Sequence, residues 1–408
     1  MRLTDYFFSN NGVDVLSPLF GWKKFLHMKE SPARSSLVVD DNMEARCNTA
    51  RAGLARLYNY DTLPFTVRDE VNREFAPEGY SIRYAAISQI GIMRWLRYHP
   101  NDKPFLPDLW PRILACIDSI NHIGDFALLL WAAAESGRDD CNKFDKMLVQ
   151  HWPERQRMCN AVELGWVVQS LVRLSELADL NADTKEVLKA AYDKLLELYN
   201  PDSRLFARHN RTGLKKMLSR RVACFADQIY PILALANYGR HFQDSQSVDV
   251  AVAAADSICR LQGPMGQWWW HYDVQTGKVA EEYPVFSVHQ HGMAPMALFA
   301  IDAIAGTNHK PYIEKGLVWL DEQNELNEQM IELDKGIIWR DIHRREFGKM
   351  FRLVRGLLIT MGLDGLHRLA GRSIFGYVVN RECRPYELGW LLYAWAPKLT
   401  KITNQSGV

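Results

Sequence analysis

Four short segments place acids or imidazoles directly ahead of apolar runs: Glu163-Leu164-Gly165-Trp166, Asp227-Gln228-Ile229-Tyr230, Gln290-His291-Gly292-Met293 and Glu387-Leu388-Gly389-Trp390. If these runs are helices that enter a ring from one side, Glu163, Asp227, His291 and Glu387 gather around one mouth, where carboxylates and imidazoles can exchange protons with a bound molecule. The densest group of titratable side chains is Glu281-Glu282-Tyr283-Pro284-Val285-Phe286-Ser287-Val288-His289-Gln290-His291. The pair His289-x-His291, with Cys224 or Cys383 as a third ligand, could begin a metal site, but no full ligand set is visible. Acid-base chemistry without a metal or cofactor is therefore the expectation, with Asp227, His291, Glu387, Tyr283 and His289 as its carriers. Trp166, Trp268, Trp269, Trp270 and Trp390 offer aromatic faces to a substrate, Glu163 stands beside them, and Arg384 can hold an anionic group. The competing reading of the acids is that each is a first-turn residue serving its own helix.

These residues need elements to position them, and hydrophobic periodicity near 3.6 dominates the chain, as in the segment from Val187 to Leu196. Two helix populations alternate. Amphipathic helices begin near Asn42, Pro107, Asn142, Asp183, Ser247 and Pro311; helices apolar along their length begin near Ile82, Gly124, Val162, Ala226, Gln290 and Tyr386. An all-apolar helix needs cover on every side and an amphipathic one can face water, which predicts an inner ring of six helices inside an outer ring of six. The expected class is all-α, an (α/α)6 toroid, with residues 267–286 as its main β element: aromatic strand formers flank the turn Val274-Gln275-Thr276-Gly277-Lys278. Residues 1–40 read as an extended lead-in in which Asp40-Asp41 caps the first helix. Residues 41–398 read as one domain, with loop insertions and further helical stretches between Lys310 and Arg384, and residues 399–408 as a tail.

Composition limits the partners. The 408 residues carry Lys+Arg 49 against Asp+Glu 48, so no global field draws the chain to nucleic acid. No stretch suits membrane insertion and no signal-peptide core opens the chain, and seven cysteines without a C-x-x-C pair fit a reducing, cytoplasmic setting. Two basic segments, Arg204–Arg211 and Arg340-Asp341-Ile342-His343-Arg344-Arg345, read as solvated loops that would favour an anionic substrate if either folded over the mouth.

The paired organisation, together with Gln262-Gly263-Pro264-Met265-Gly266-Gln267-Trp268 and its spacing Gln-x-x-x-Gly-x-Trp, resembles the α/α toroids: terpenoid cyclases, protein prenyltransferase subunits and six-hairpin carbohydrate-active enzymes. The resemblance implies a toroid, and a structural role for Gln262 in bonding backbone groups and stacking near Trp268. The Asp-rich motifs of the cyclases are absent; Val39-Asp40-Asp41-Asn42 is the nearest approach and stands in the lead-in. The preferred expectation is thus a carbohydrate-active lyase, epimerase or hydrolase acting on an acidic or complex saccharide. A terpenoid or prenyl-substrate enzyme, and a non-catalytic toroid that binds a glycan or a protein, are the alternatives.

Overall fold

A computed structural model describes residues 36–58, 62–70, 73–211, 220–345 and 376–399. Six helices of the described residues form the inner ring: α2 (Ile82–Tyr98), α4 (Ile123–Glu135), α6 (Ala161–Ser175), α8 (Ala226–Phe242), α10 (Ala294–Ala305) and α12 (Pro385–Trp395). Each packs on the next, and α12 packs on α2 to close the circle. The outer helices are α1 (Ser36–Leu57), α3 (Trp110–Ala115), α5 (Cys141–Arg155), α7 (Ala182–Glu197), α9 (Ser245–Arg260) and α11 (Lys310–Trp319). The chain has the α/α-toroid fold.

The two populations bury different surfaces. Every residue of α4, IGDFALLLWAAAE, is buried, whereas α7 buries Thr184, Val187, Leu188, Ala191 and Leu195, one stripe at helical spacing. Full burial of each large apolar side chain contributes roughly 1.5–3 kcal/mol, so a closed inner ring is the favourable place for helices that lack a polar face. Close approach needs small residues. A Cβ at Gly91 would lie 2.0 Å from the Gly389 carbonyl oxygen, so the seam where α12 meets α2 is possible because both positions are glycine. Each outer helix packs chiefly on the inner helix that precedes it, α5 on α4, α7 on α6 and α9 on α8, and α1 folds back onto α12.

The helix starts agree with the sequence reading, and α1 is the exception. It begins at Ser36, so Asp40 and Asp41 lie within the helix and do not cap it; no helix breaker separates Ser36 from Asn42. The Gln262 side chain behaves as the toroid resemblance implies, donating from Nε2 to the Gly266 carbonyl at 3.1 Å and the Tyr312 carbonyl of α11 at 2.8 Å. The further helical stretches expected between Lys310 and Arg384 fall partly on residues 346–375, outside the described residues, as does most of the lead-in and the tail.

The β structure of the described residues is more distributed than a single hairpin: besides three three-stranded sheets there are two short ladders, β3 (Tyr199–Asn200) with β4 (Leu205–Phe206) and β9 (Ile331–Glu332) with β10 (Ile337–Ile338). The expected hairpin exists as β6 (His271–Asp273) and β7 (Lys278–Glu281), extended by β5 (Val222–Cys224). A second sheet has the order β13 (Glu382–Cys383), β1 (Pro64–Glu70), β2 (Arg73–Tyr80); a third has β12 (Tyr377–Asn380), β11 (Asp341–Arg344), β8 (Val285–Phe286). The segment Asp341–Arg344, expected as a solvated basic loop, is thus the central strand of a sheet, pairing Asp341 with both Phe286 and Asn380. Chain continuity locates all three sheets at one end of the ring. β2 ends at Tyr80 before α2, β5 at Cys224 before α8, β8 at Phe286 before the π turn His289–Met293 that leads into α10, and β13 at Cys383 before α12.

Candidate active site

At this end of the toroid, where the inner helices start, three guanidiniums converge on one carboxylate. Glu382 Oε2 accepts hydrogen bonds from Arg340 Nη1 at 3.1 Å and Arg384 Nη2 at 3.0 Å, and Oε1 faces Arg68 Nη2 at 3.2 Å. Arg384 is the N-cap residue of α12, and its Nη1 donates to the Tyr84 hydroxyl at 2.8 Å. Its guanidinium lies 4.7 Å from the Phe65 ring centroid, and Phe65, Tyr84 and Tyr386 form a stack with centroids 5.0 and 4.3 Å apart. Arg340 Nε stands 3.7 Å from Glu387 Oε1 and 3.9 Å from Asp341 Oδ2, with the guanidinium over the Phe286 ring at 5.3 Å.

Two carboxyl groups in this cluster are pushed apart in acidity. Burial raises Glu387 to about 7 against the pull of Arg340 and Arg384, because a carboxylate removed from water loses its hydration. Burial also works against ionised Asp341, but the hydrogen bond from His343 and the charges of His343 and Arg340 outweigh it and hold Asp341 below the usual carboxylate range. One group thus exchanges its proton near neutral pH while its neighbour stays ionised, the arrangement that separates proton donor from acceptor.

The structure brings four of the expected site residues to this cluster. Besides Glu387 and Arg384, His289 lies between the rings of Phe225 at 4.4 Å and Phe286 at 5.0 Å, and Trp270 is partly exposed, stacked on His271 at 4.1 Å and edge-on to Phe286 at 6.4 Å. Burial, with Arg340 nearby, depresses His289 to about 3, so its ring is neutral.

The others go elsewhere. His291 is completely buried, neither ring nitrogen has a hydrogen-bond partner among the described residues, and burial followed by the charge of Arg46 lowers it to about 3. Trp268 and Trp390 have no accessible surface, Trp390 packing 5.5 Å from Trp131 and 5.9 Å from Tyr230, so they fill the core and do not line an open cavity. Trp390 stands among rings of the inner helices, where large side chains exclude water most completely, and Trp268 packs 5.6 Å from Phe225. Tyr283 donates from its hydroxyl to Glu325 Oε1 at 2.6 Å and packs edge-on against Trp269 at 5.8 Å.

Glu163 forms a capping box with Asn160: its backbone N–H donates to Asn160 Oδ1 at 3.0 Å, and its Oε2 accepts from the Asn160 N–H at 3.1 Å. Trp166 lies beneath Arg83 at 5.4 Å, in a separate group where Arg83 Nε meets Asp125 Oδ1 at 2.6 Å. Asp227 accepts from the Cys224 N–H at 2.8 Å in the first turn of α8. Among the described residues, no three His, Cys, Asp or Glu side chains are arranged to hold a metal ion, and the seven cysteines form no disulfide.

Sequence reasoning missed Arg340, Asp341, Glu382, Tyr84 and His343 as members of one site. A signal was present. The short alternation Asp341-Ile342-His343, following the apolar run Ile337-Ile338-Trp339, is compatible with a strand, and charge content masked it.

No family model matches the chain, and no curated sequence matches it. Solved structures do. A possible member of the GH105 family from Klebsiella pneumoniae superposes with a TM-score of 0.57 at 10% identity, covering 93% of this chain and 99% of that one. An unsaturated glucuronyl hydrolase specific for heparin gives 0.55 at 12%, covering 88% and 97%. An unsaturated glucuronyl hydrolase from Streptococcus agalactiae gives 0.55 at 10%, covering 88% and 92%. At such identities the likeness is one of fold, and it is with six-hairpin toroids.

Proposed function

We propose that this chain is a carbohydrate-active enzyme that acts on an acidic saccharide at the end of the toroid where the inner helices begin. The observation that carries the reading is the placement of Arg384 and Arg340. Arg384 caps the positive end of α12, where a cation is disfavoured by about 0.3–1 kcal/mol, so its position calls for an anion as partner. Glu382 supplies one, but it also accepts from Arg340 and faces Arg68, which have Asp341 and Glu78 as further partners, whereas Glu382 is the one carboxylate that Arg384 meets among the described residues. A substrate carboxylate would be the complement, held by planar guanidiniums.

In this reading Trp270 offers its face to the C–H surface of a sugar, Glu387 is the proton donor near neutral pH, and ionised Asp341 stabilises positive charge or supports a proton acceptor. Hydrolysis, elimination and epimerisation all use this split. Hydrolysis of a terminal uronate is favoured because the superposed structures include unsaturated glucuronyl hydrolases and the arginines suit a carboxylate. The expected location is the cytoplasm: the cysteines are unpaired, and no helix among the described residues is long and apolar enough to cross a membrane.

The test is a panel of uronate-terminated oligosaccharides and their neutral counterparts, with product release measured by chromatography. Turnover confined to the uronates supports the reading; equal turnover of neutral sugars, or none at all, overturns it. One observation favours a second reading, a non-catalytic toroid that binds an anionic glycan: Glu387 exposes no surface. That reading expects saturable binding of the same uronates by calorimetry with no product formed.

A further inference from the structure

We propose that His343, oriented by Asp341, is the proton acceptor of this site; the assignment rests on the carbohydrate-active reading. Strand periodicity puts Asp341 and His343, two residues apart on β11, on the same face of the sheet. Both oxygens of Asp341 are committed: Oδ1 lies 2.9 Å from His343 Nδ1, and Oδ2 accepts from Asn380 Nδ2 at 2.8 Å. An ionised carboxylate can only accept, so Nδ1 carries the hydrogen, and a ring without a second proton presents its lone pair at Nε2.

Access separates this histidine from the two expected to do the chemistry. His289 and His291 are buried, whereas the His343 side chain is 39% exposed, and among the described residues no hydrogen bond occupies Nε2. Its strand also carries the link to the rest of the site: Asp341 pairs with Phe286, over which Arg340 lies. The charged groups around it are Asp341 and Arg340 on one side and Arg344, itself paired with Glu282 at 2.7 Å, on the other. In the step, an X–H bond of the attacking water or of the substrate breaks, X keeps the electron pair, and the proton forms the Nε2–H bond. The imidazolium is held by Asp341 and then releases that proton to solvent, which reaches the ring directly.

The experiment uses the full chain and the uronate panel. His343→Ala should lower kcat by about 100-fold or more with KM little changed, and added imidazole should restore part of the rate. His343→Gln, which keeps bulk and a polar contact with Asp341, should be equally slow. Asp341→Asn should weaken the Nδ1–H tautomer seen by nitrogen NMR of His343 and shift the pH profile of kcat, as expected of a positioning residue. A His343→Ala rate within about threefold of wild type overturns the assignment alone, since an effective general base contributes far more. A slow variant that imidazole does not rescue also overturns it. No turnover by the wild-type chain overturns the functional reading and this assignment with it.

Discussion

The two ends of the toroid use the same ingredients against opposite electrostatic backgrounds. At the end where the inner helices finish, Glu135, the last residue of α4, is met by Arg97, by Arg173 at 3.5 Å and by Arg94 at 3.9 Å, and Glu176 beside it pairs with Arg173 at 2.6 Å and with Arg240. Arg97 also donates to the Glu135 carbonyl at 3.3 Å, and Arg94 lies 4.1 Å over the Tyr393 ring. These cations stand where helix dipoles are negative, so the backbone field supports them and the carboxylates only tie them together. At the opposite end, Arg384 and Arg83 stand at the starts of α12 and α2, where the field works against them. A charged cluster that the backbone favours needs no ligand to explain it; one that the backbone opposes does. The far end is therefore read as a clamp and the helix-start end as a site.

The largest expected effect tests the clamp. Removing the buried carboxylate in Glu135→Ala leaves three partly exposed arginines without their shared counter-charge, and the loss of unfolding free energy in urea should reach at most about 3–5 kcal/mol, with kcat per folded molecule unchanged. A variant as stable as wild type would show that the dipoles alone hold the arginines. Next is Arg384→Met, which should cost roughly 100-fold in kcat/KM on a uronate substrate, about 3 kcal/mol, while destabilising the fold less than Glu135→Ala does. The reverse order of effects would erase the contrast between the two ends.

A smaller effect concerns pH. The Glu387 carboxyl ionises near 7 in the folded chain against an ordinary value of 4.5. Between those values the native state holds a proton that the unfolded state has lost, so this group makes stability fall as pH rises through that window and level off above it. The slope is at most about 1.4 kcal/mol per pH unit. Glu387→Gln should abolish it in urea titrations run at several pH values, and an unchanged slope would place the proton elsewhere. The smallest effect is expected for Glu163→Gln: a glutamine still completes the capping box, so stability should change by less than about 0.5 kcal/mol. A marked rise in KM in that variant would return Glu163 to the site.

The helices were legible because their signals are local. A polar residue followed by an apolar run marks Ile82, Ala226 and Tyr386 as inner starts, each within one residue of where its helix begins, and the turn Val274–Lys278 with its Gly277 marks the hairpin. In the two Leu-Gly-Trp segments, Gly165 and Gly389 sit where a Cβ would come within about 3 Å of the neighbouring helix, at Tyr230 and Ser88. The site was less legible. Which acid caps its own helix and which faces its neighbours depends on what stands opposite: Glu163 finds Asn160 three residues away, whereas Glu387 finds Arg340, 47 residues back in the chain.

What the sequence determined by itself is the ring: residue hydrophobicity along each helix decides which helices must be enclosed, and that property needs no knowledge of neighbours. What only the tertiary structure decided is the membership of the site. Asp341 is the first residue of β11 and Arg340 directly precedes it, Glu382 comes from a two-residue strand, Tyr84 from the first turn of α2 and Arg384 from the cap of α12. Short strands carry almost no periodic signal. Their charges meet because three small sheets fold onto the same end of the ring, and it is burial there, absent from any local stretch of sequence, that separates the acidity of Glu387 from that of Asp341.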